Sequence, residues 1–178
     1  QIGTGGTSGV LLGGTGSLVN NGTLIFNRSD AVTYSGALSG SGAMMQQGVG
    51  GLTLAGANSF TGLTTIAAGT LALSGSGSIG TGGLNLGTTG SPGVFDLAAL
   101  AAGTYSLPSS GDLSGVGTLS GSGKSLAVLG SFLPGNSPGT VTVDSGFTLD
   151  LTSSGSSVFE ITNPVFPAGS YDLSLIHI

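Results

Sequence analysis

The chain has 178 residues, of which 37 are glycine and none is cysteine or tryptophan. Two residues are basic and seven are acidic, which gives a formal net charge of −5. This composition excludes disulfide bonds, thiolate catalysis and cysteine-ligated zinc, and it excludes a basic surface for nucleic acid. No apolar run approaches the ~20 residues of a membrane-spanning helix. Because Gln1 begins no signal peptide, we expect the sequence to be a fragment of a longer protein.

The high glycine content is typical of disordered segments, but the hydropathy and the sequence pattern favour an ordered chain. The mean hydropathy is +0.46, whereas disordered chains are polar and carry a larger charge. The apolar residues also fall in short bursts that alternate with polar residues and end at glycine or serine. Such alternation predicts half-buried strands, because it places one set of side chains on one face. In chain order, the clearest predicted strands are 23–26, 51–54, 69–73, 83–86, 126–129, 140–143, 147–151 and 158–161.

The strands belong to a repeated unit. Leu-Ser-Gly-Ser-Gly occurs at 38–42, 73–77 and 119–123, with spacings that suit one or two turns of a solenoid whose coils hold about 20 residues. An immunoglobulin-like sandwich also needs many short strands, but it normally needs bulkier core residues. We therefore predict an all-β fold, a parallel β-solenoid of roughly eight to nine coils without significant helix. The side chains expected to face inward are Leu24, Phe26, Leu52, Leu54, Ile66, Leu71, Leu73, Leu84, Leu86, Val141, Val143, Leu149 and Leu151.

Residues 18–80 carry a longer ordered pattern. A strand at 51–54 is followed by Asn-Ser-Phe-Thr-Gly at 58–62, then by Thr-Thr-Ile at 64–66 and Gly-Thr-Leu at 69–71. This order resembles the autotransporter-associated β-strand repeat, also called the passenger-associated transport repeat, of Gram-negative type V secretion. Gly51 stands where the family has threonine and Leu63 where it has a second turn glycine, and neither change breaks the frame.

The resemblance implies a right-handed β-helix that is exported through a C-terminal outer-membrane β-barrel of the same parent chain. It also implies a location on the cell surface, at the outer membrane or in the medium of a Gram-negative bacterium. The segment 134–143 resembles the later part of such passengers. The expected role is a structural stalk, with adhesion to surfaces or glycans as a second role of the same scaffold.

Three segments are expected along the chain. Residues 1–132 are predicted to form a solenoid with autotransporter-type repeats, and residues 133–172 to continue it with coils of the later-passenger type. Residues 173–178 read Leu-Ser-Leu-Ile-His-Ile, the translation of CTGTCTCTTATACACATC, a transposase adapter end used in sequencing libraries. We interpret these six residues as read-through.

A β-helix enzyme acting on polysaccharides is the rival hypothesis. Glycosidases need two carboxylates about 5–10 Å apart, and the candidates are Asp144, Asp150 and Glu160. The alternation around Asp150 and Glu160 predicts that both point to solvent. A lyase would also need a basic residue near its base, but Arg28 and Lys124, the only two, are far apart in the sequence. We therefore predict no catalytic residues.

The remaining polar features are also expected to be structural. Arg28 and Asp30 are interpreted as a corner ion pair rather than a sugar-binding pair, with Phe26 in the core and Tyr34 on a strand face. The glycine-rich stretches lack the residues of a Walker loop and the aspartates of calcium-binding nonapeptide repeats. The sequence therefore predicts no cofactor and no bound metal.

Overall fold

The computed structural model describes residues 1–9, 16–135 and 140–151, and these residues contain strands and turns but no helix. The strands wind into a β-solenoid of six coils, and neighbouring coils pair in parallel. The all-β class and the parallel solenoid are thus confirmed. The right-handed winding stays a prediction.

Each coil contributes one strand to side 1 and one to side 2, and four of the six coils also contribute a strand to side 3. Side 1 stacks β2 (Thr23–Phe26), β5 (Ala43–Gln46), β7 (Thr64–Ile66), β9 (Leu84–Asn85), β13 (Leu113–Ser114) and β16 (Phe132–Leu133). Side 2 stacks β3 (Val32–Tyr34), β6 (Gly51–Leu54), β8 (Thr70–Leu73), β11 (Ser91–Asp96), β14 (Gly117–Ser120) and β17 (Val141–Val143). The short β10 (Gly87–Thr88) pairs antiparallel with β11 as a hairpin at the corner of the fourth coil.

Side 3 is regular only near its two ends. There β1 (Leu18–Val19) pairs with β4 (Leu38–Ser39), and β12 (Thr104–Leu107), β15 (Ser125–Val128) and β18 (Thr148–Asp150) form a three-stranded sheet. Between them, side chains replace part of the strand ladder. The Asn58 side chain accepts the Leu38 N–H and donates to the Ser78 carbonyl, and the Tyr105 hydroxyl accepts the Ile79 N–H at 3.0 Å. Side 3 is therefore held together along its length.

The coils are longer in the second half of the column. Leu52 pairs with Leu71, 19 positions on, whereas Phe95 pairs with Leu119, 24 positions on. The prediction of eight to nine coils divided all 178 residues by about 20, whereas the six described coils run from β2 to β18. At ~4.8 Å per step, the first and sixth coils lie about 24 Å apart.

The core is a set of stacked apolar columns. On side 2, Leu52, Leu71, Phe95 and Leu119 lie one above the other and are at most 1% exposed. The inward positions predicted between Leu24 and Leu86 are all buried. Those in the sixth coil are not, since Val143 is 38% exposed and Val141, Leu149 and Leu151 are partly exposed. Val143 continues the column of Leu119, and it lies at the end of the described stack.

The predicted segment boundaries are only partly covered by the structure. The strand β16 spans the boundary predicted between residues 132 and 133, and β17 and β18 extend sides 2 and 3 beyond it. The predicted strand at 158–161 and the proposed adapter residues 173–178 lie outside the described residues. The division into three segments stays a prediction.

One buried hydroxyl interrupts the apolar column of side 1. Thr64 lies between Met44 and Leu84, is fully buried, and its Oγ1 has no hydrogen-bond partner. Valine has nearly the same shape and removes the unpaired hydroxyl. We expect Thr64→Val to raise the free energy of unfolding by about 1 kcal/mol, measured by urea denaturation. The outward neighbour Thr65→Val is the control, and an equal gain there would contradict this explanation.

Candidate functional site

The carboxylates considered as catalytic candidates do not form a described cluster. Asp144 is exposed in the turn after β17, on side 2. Asp150 ends β18 on side 3, where its register partner is Ala127 and its neighbour Leu149 pairs with the buried Leu126. Alternation therefore directs Asp150 outward, as predicted. Glu160 lies outside the described residues.

Arg28 is held by hydrogen bonds at the corner between sides 1 and 2. Its guanidinium donates to both carboxylate oxygens of Asp30, at 2.9 and 2.8 Å, and to the backbone carbonyls of Thr7 and Gly9. The hydrogen bond from Arg28 holds the pKa of Asp30 below its ordinary value. The predicted ion pair is confirmed. Arg28 has a second structural role, because its hydrogen bonds to Thr7 and Gly9 hold residues 7–9 against the first coil.

Tyr34 corrects one detail of the sequence prediction. We expected it on a strand face, but it is 1% exposed, and its hydroxyl donates to the carbonyl of Gly16. Burial raises the pKa of Tyr34 above its ordinary value. The aromatic ring fills the core, and the hydroxyl reaches the adjacent backbone, so Tyr34 offers no platform for a ligand.

Lys124 binds backbone in a similar way to Arg28. Its Nζ donates to the carbonyls of Leu100 at 2.6 Å and Ala102 at 3.2 Å, in the preceding coil. Both basic side chains of the sequence therefore bind carbonyl groups of the polypeptide itself.

Gln46 is a buried polar residue that the sequence interpretation did not single out. It is 2% exposed, and its Nε2 donates to the carbonyls of Gly48 and Gly50 at 2.8 and 2.9 Å, which satisfies the corner after β5. Strand alternation could have indicated it, because Met44 and Gln46 lie on the same face. Its side chain supplies two hydrogen-bond donors to the turn between β5 and β6.

A groove lies at the corner between sides 1 and 2 in the second half of the column. Its volume is about 310 Å³, and it runs across coils 4, 5 and 6. The hairpin of coil 4 forms one wall, the corner of coil 5 forms the floor, and the end of β16 forms the other wall. The lining residues are Asn85, Gly87, Thr88, Thr89, Ser114, Gly115, Val116, Leu133 and Gly135.

The side chains of the groove are uncharged. The Asn85 amide donates to Ser114 Oγ at 3.1 Å and accepts the Gly87 N–H at 2.9 Å, so it is fixed in place. Thr88 and Thr89 are exposed on the hairpin, and Leu133 is 38% exposed. The groove therefore combines hydroxyl and amide groups with an apolar wall.

Metal binding and membrane crossing are addressed by two further observations. Within residues 1–9, 16–135 and 140–151, no three histidine, aspartate or glutamate side chains lie close enough to share a metal ion. In the same residues, no helix is long and apolar enough to cross a membrane.

The comparisons with known proteins agree with the architecture. Residues 46–73 match the model of the Passenger-associated-transport-repeat family; this segment runs from the end of β5 to the end of β8. The chain is also similar to the adhesin BmaC autotransporter of Brucella suis biovar 1 (strain 1330), with 38% identity over 79 residues. That match covers 44% of this chain and 2% of the relative. No solved structure matches significantly. In residues 46–73 the chain thus carries the passenger-associated transport repeat, which confirms the resemblance found in its sequence.

Proposed function

We propose that this chain is a structural stalk segment of an autotransporter passenger and that it has no enzymatic activity. In this role the solenoid holds a more distant part of the parent protein away from the cell. The transport repeat at 46–73 and the similarity to an autotransporter described as an adhesin support the proposal. The parent chain would be exported through its own C-terminal outer-membrane β-barrel and displayed on, or released from, a Gram-negative cell.

The observation that carries the proposal is the continuity of the core. The column from Leu52 to Leu119 passes through four successive coils without a gap or a charged residue. Each coil packs its apolar side chains only against those of the neighbouring coils. The continuous column therefore resists bending and keeps its length. A rigid spacer needs this property, and it needs no reactive group.

The use of the charged side chains supports a structural role over an enzymatic one. A polysaccharide lyase or hydrolase needs carboxylates and basic groups that converge on one substrate. Here Arg28 and Lys124 bind backbone carbonyls, and Asp144 and Asp150 lie on different sides of the column. Adhesion to extracellular surfaces or glycans is the second candidate, and the similarity to a protein named an adhesin favours it over catalysis.

The test uses the full-length parent displayed on cells. Replacing Asp144, Asp150 or Glu160 by alanine should leave export, display and stability unchanged, within about 0.5 kcal/mol. Replacing Leu54, which is fully buried, by aspartate should stall export or leave the passenger sensitive to protease. Surface labelling and glycan-cleavage assays are run on each variant. A carboxylate variant that is displayed normally but loses a measurable cleavage activity would overturn the stalk proposal.

A further inference from the structure

The corner that leads into the first coil carries a chemically reactive dipeptide. Asn21 and Gly22 lie between β1 and β2, at the corner between sides 3 and 1, and both are exposed. Asparagine is a thermolabile residue, because the backbone nitrogen of the next residue can attack its side-chain amide. Glycine in that next position has no side chain to obstruct the attack. Asn21 is the only asparagine of the sequence that is followed by glycine.

Hydrogen bonds to the start of the second coil hold both reacting groups. Asn21 Oδ1 accepts the Ser41 N–H at 3.1 Å and the Ser41 hydroxyl at 3.4 Å. The Gly22 N–H donates to Asn20 Oδ1 at 3.2 Å, and Asn20 Nδ2 donates to the carbonyl of Ala43 at 2.9 Å. Ring closure moves the Asn21 side-chain oxygen and takes the proton from the Gly22 nitrogen. It therefore has to break the hydrogen bonds at both groups.

The second coil can approach the two asparagines this closely because it has glycine opposite them. A Cβ at Gly40 would lie 2.7 Å from Asn21 Oδ1, and a Cβ at Gly42 would lie 2.6 Å from Asn20 Nδ2. The corner is open on its other side, since a Cβ built at Gly22 would meet no atom of the described residues within 4 Å. Within the described structure, the second coil is therefore what restrains the dipeptide.

We propose that Asn21 is a deamidation site that the second coil keeps closed, and that it reacts only while the first two coils are apart. The Gly22 nitrogen then loses its proton and bonds to Asn21 Cγ. The Cγ–Nδ2 bond breaks, and Nδ2 leaves as ammonia with that proton, which closes a succinimide ring. One water molecule opens either imide bond and gives aspartate or isoaspartate.

The isoaspartate product should keep the corner open. It adds one carbon atom to the backbone at residue 21, so the corner no longer fits under the close contacts of Gly40 and Gly42. Deamidation thus converts a temporary separation of the two coils into a lasting one. The site goes beyond the stalk function, because a column whose coils stay together never uses it.

The test compares the folded chain with the same chain in urea at neutral pH, by peptide mapping that quantifies aspartate and isoaspartate at residue 21. Asn21 should react at least tenfold more slowly in the folded chain. Asn20→Ala removes the acceptor of the Gly22 N–H and the hydrogen bond to Ala43. It should raise the rate in the folded chain at least threefold and leave the rate in urea unchanged. Thr23→Ala, at the next exposed position, is the matched control and should leave both rates unchanged within twofold.

Two further variants separate the chemistry from the fold. Gly22→Ala places its methyl group in open space, so the free energy of unfolding should be unchanged or slightly raised. The same methyl group obstructs the attack and should slow deamidation in urea at least tenfold. Asn21→Asp keeps an oxygen for the Ser41 N–H and should refold with nearly normal stability. Chains with isoaspartate, isolated after incubation in urea, should refold to a less stable state than Asn21→Asp.

Three outcomes would overturn the proposal. The first is a difference of less than tenfold between the folded chain and the chain in urea. The second is a folded Asn20→Ala chain that deamidates less than threefold faster than the unsubstituted one. The third is an isoaspartate chain as stable as Asn21→Asp. If Asn20→Ala does not fold, the two rates of the unsubstituted chain and the stability of the isoaspartate chain decide.

Discussion

Replacing Leu71 by aspartate should destabilise the protein by several kcal/mol and open the solenoid around coil 3. Leu71 is fully buried and lies between Leu52 and Phe95 in the side 2 column. An aspartate there would be an unpaired charge without water, or a protonated acid in an apolar column. The free energy of unfolding, measured by urea denaturation, should show the loss. Limited proteolysis should then cut near residues 64–77, which should be protected in the protein without the substitution.

Two matched variants separate burial of charge from the loss of packing. Leu71→Ala removes the side chain without adding a charge, and it should cost about 2–5 kcal/mol. Thr70→Asp places the same charge one residue earlier, on the outer face of β8, where the side chain is partly exposed. It should change stability by less than about 1 kcal/mol. An equal loss in Thr70→Asp and Leu71→Asp would contradict the inward orientation of the column.

Gly48→Ala should be nearly as damaging, although it adds a single methyl group. A Cβ at Gly48 would lie 2.0 Å from the carbonyl oxygen of Arg28 in the coil below, and that oxygen is backbone. The two coils would have to separate at the corner, where the Gln46 amide and the Arg28 guanidinium already make their hydrogen bonds. We expect Gly48→Ala to lower the free energy of unfolding by about 1–3 kcal/mol, measured by thermal or urea unfolding.

Gly51 supplies the control for this effect. It lies three residues later, in β6, and a Cβ there would meet no atom within 4 Å. Gly51→Ala should be neutral or slightly stabilising, because alanine loses less conformational freedom on folding than glycine. If both alanine variants had the same stability, close stacking of the coils at Gly48 would be refuted.

Strand alternation was sufficient to predict much of the fold. It placed Leu52 and Leu54, and Leu71 and Leu73, on the inner face, because residues two apart in a strand share a face and only one face is dry. The repeat pattern then indicated a stack of parallel strands. An antiparallel sandwich was disfavoured, because its core normally needs bulkier residues. These are local properties, and the sequence states them directly.

The corners could not be predicted in the same way. Their conformation depends on the coil above and below, as at the corner where Arg28 reaches the carbonyls of Thr7 and Gly9. The hairpin at 87–92 lengthens coil 4. The groove depends on how the short corner at Gly115 and Val116 stacks on the hairpin at 87–92, and no single stretch of sequence contains that relation.

The central claim is that the chain forms one continuous column with a fixed rise per coil, and spin-label distances test it most directly. The sequence has no cysteine, so pairs of introduced cysteines are labelled uniquely. The register places Thr33, Asp96 and Ser120 in one outward column, with Ser120 four coils from Thr33 and Asp96 three. Pulsed dipolar spectroscopy should give backbone separations of about 19 Å and 14 Å for these two pairs, a step of about 5 Å per coil. Separations that do not grow from Asp96 to Ser120, or a broad distribution without a step, would contradict the column.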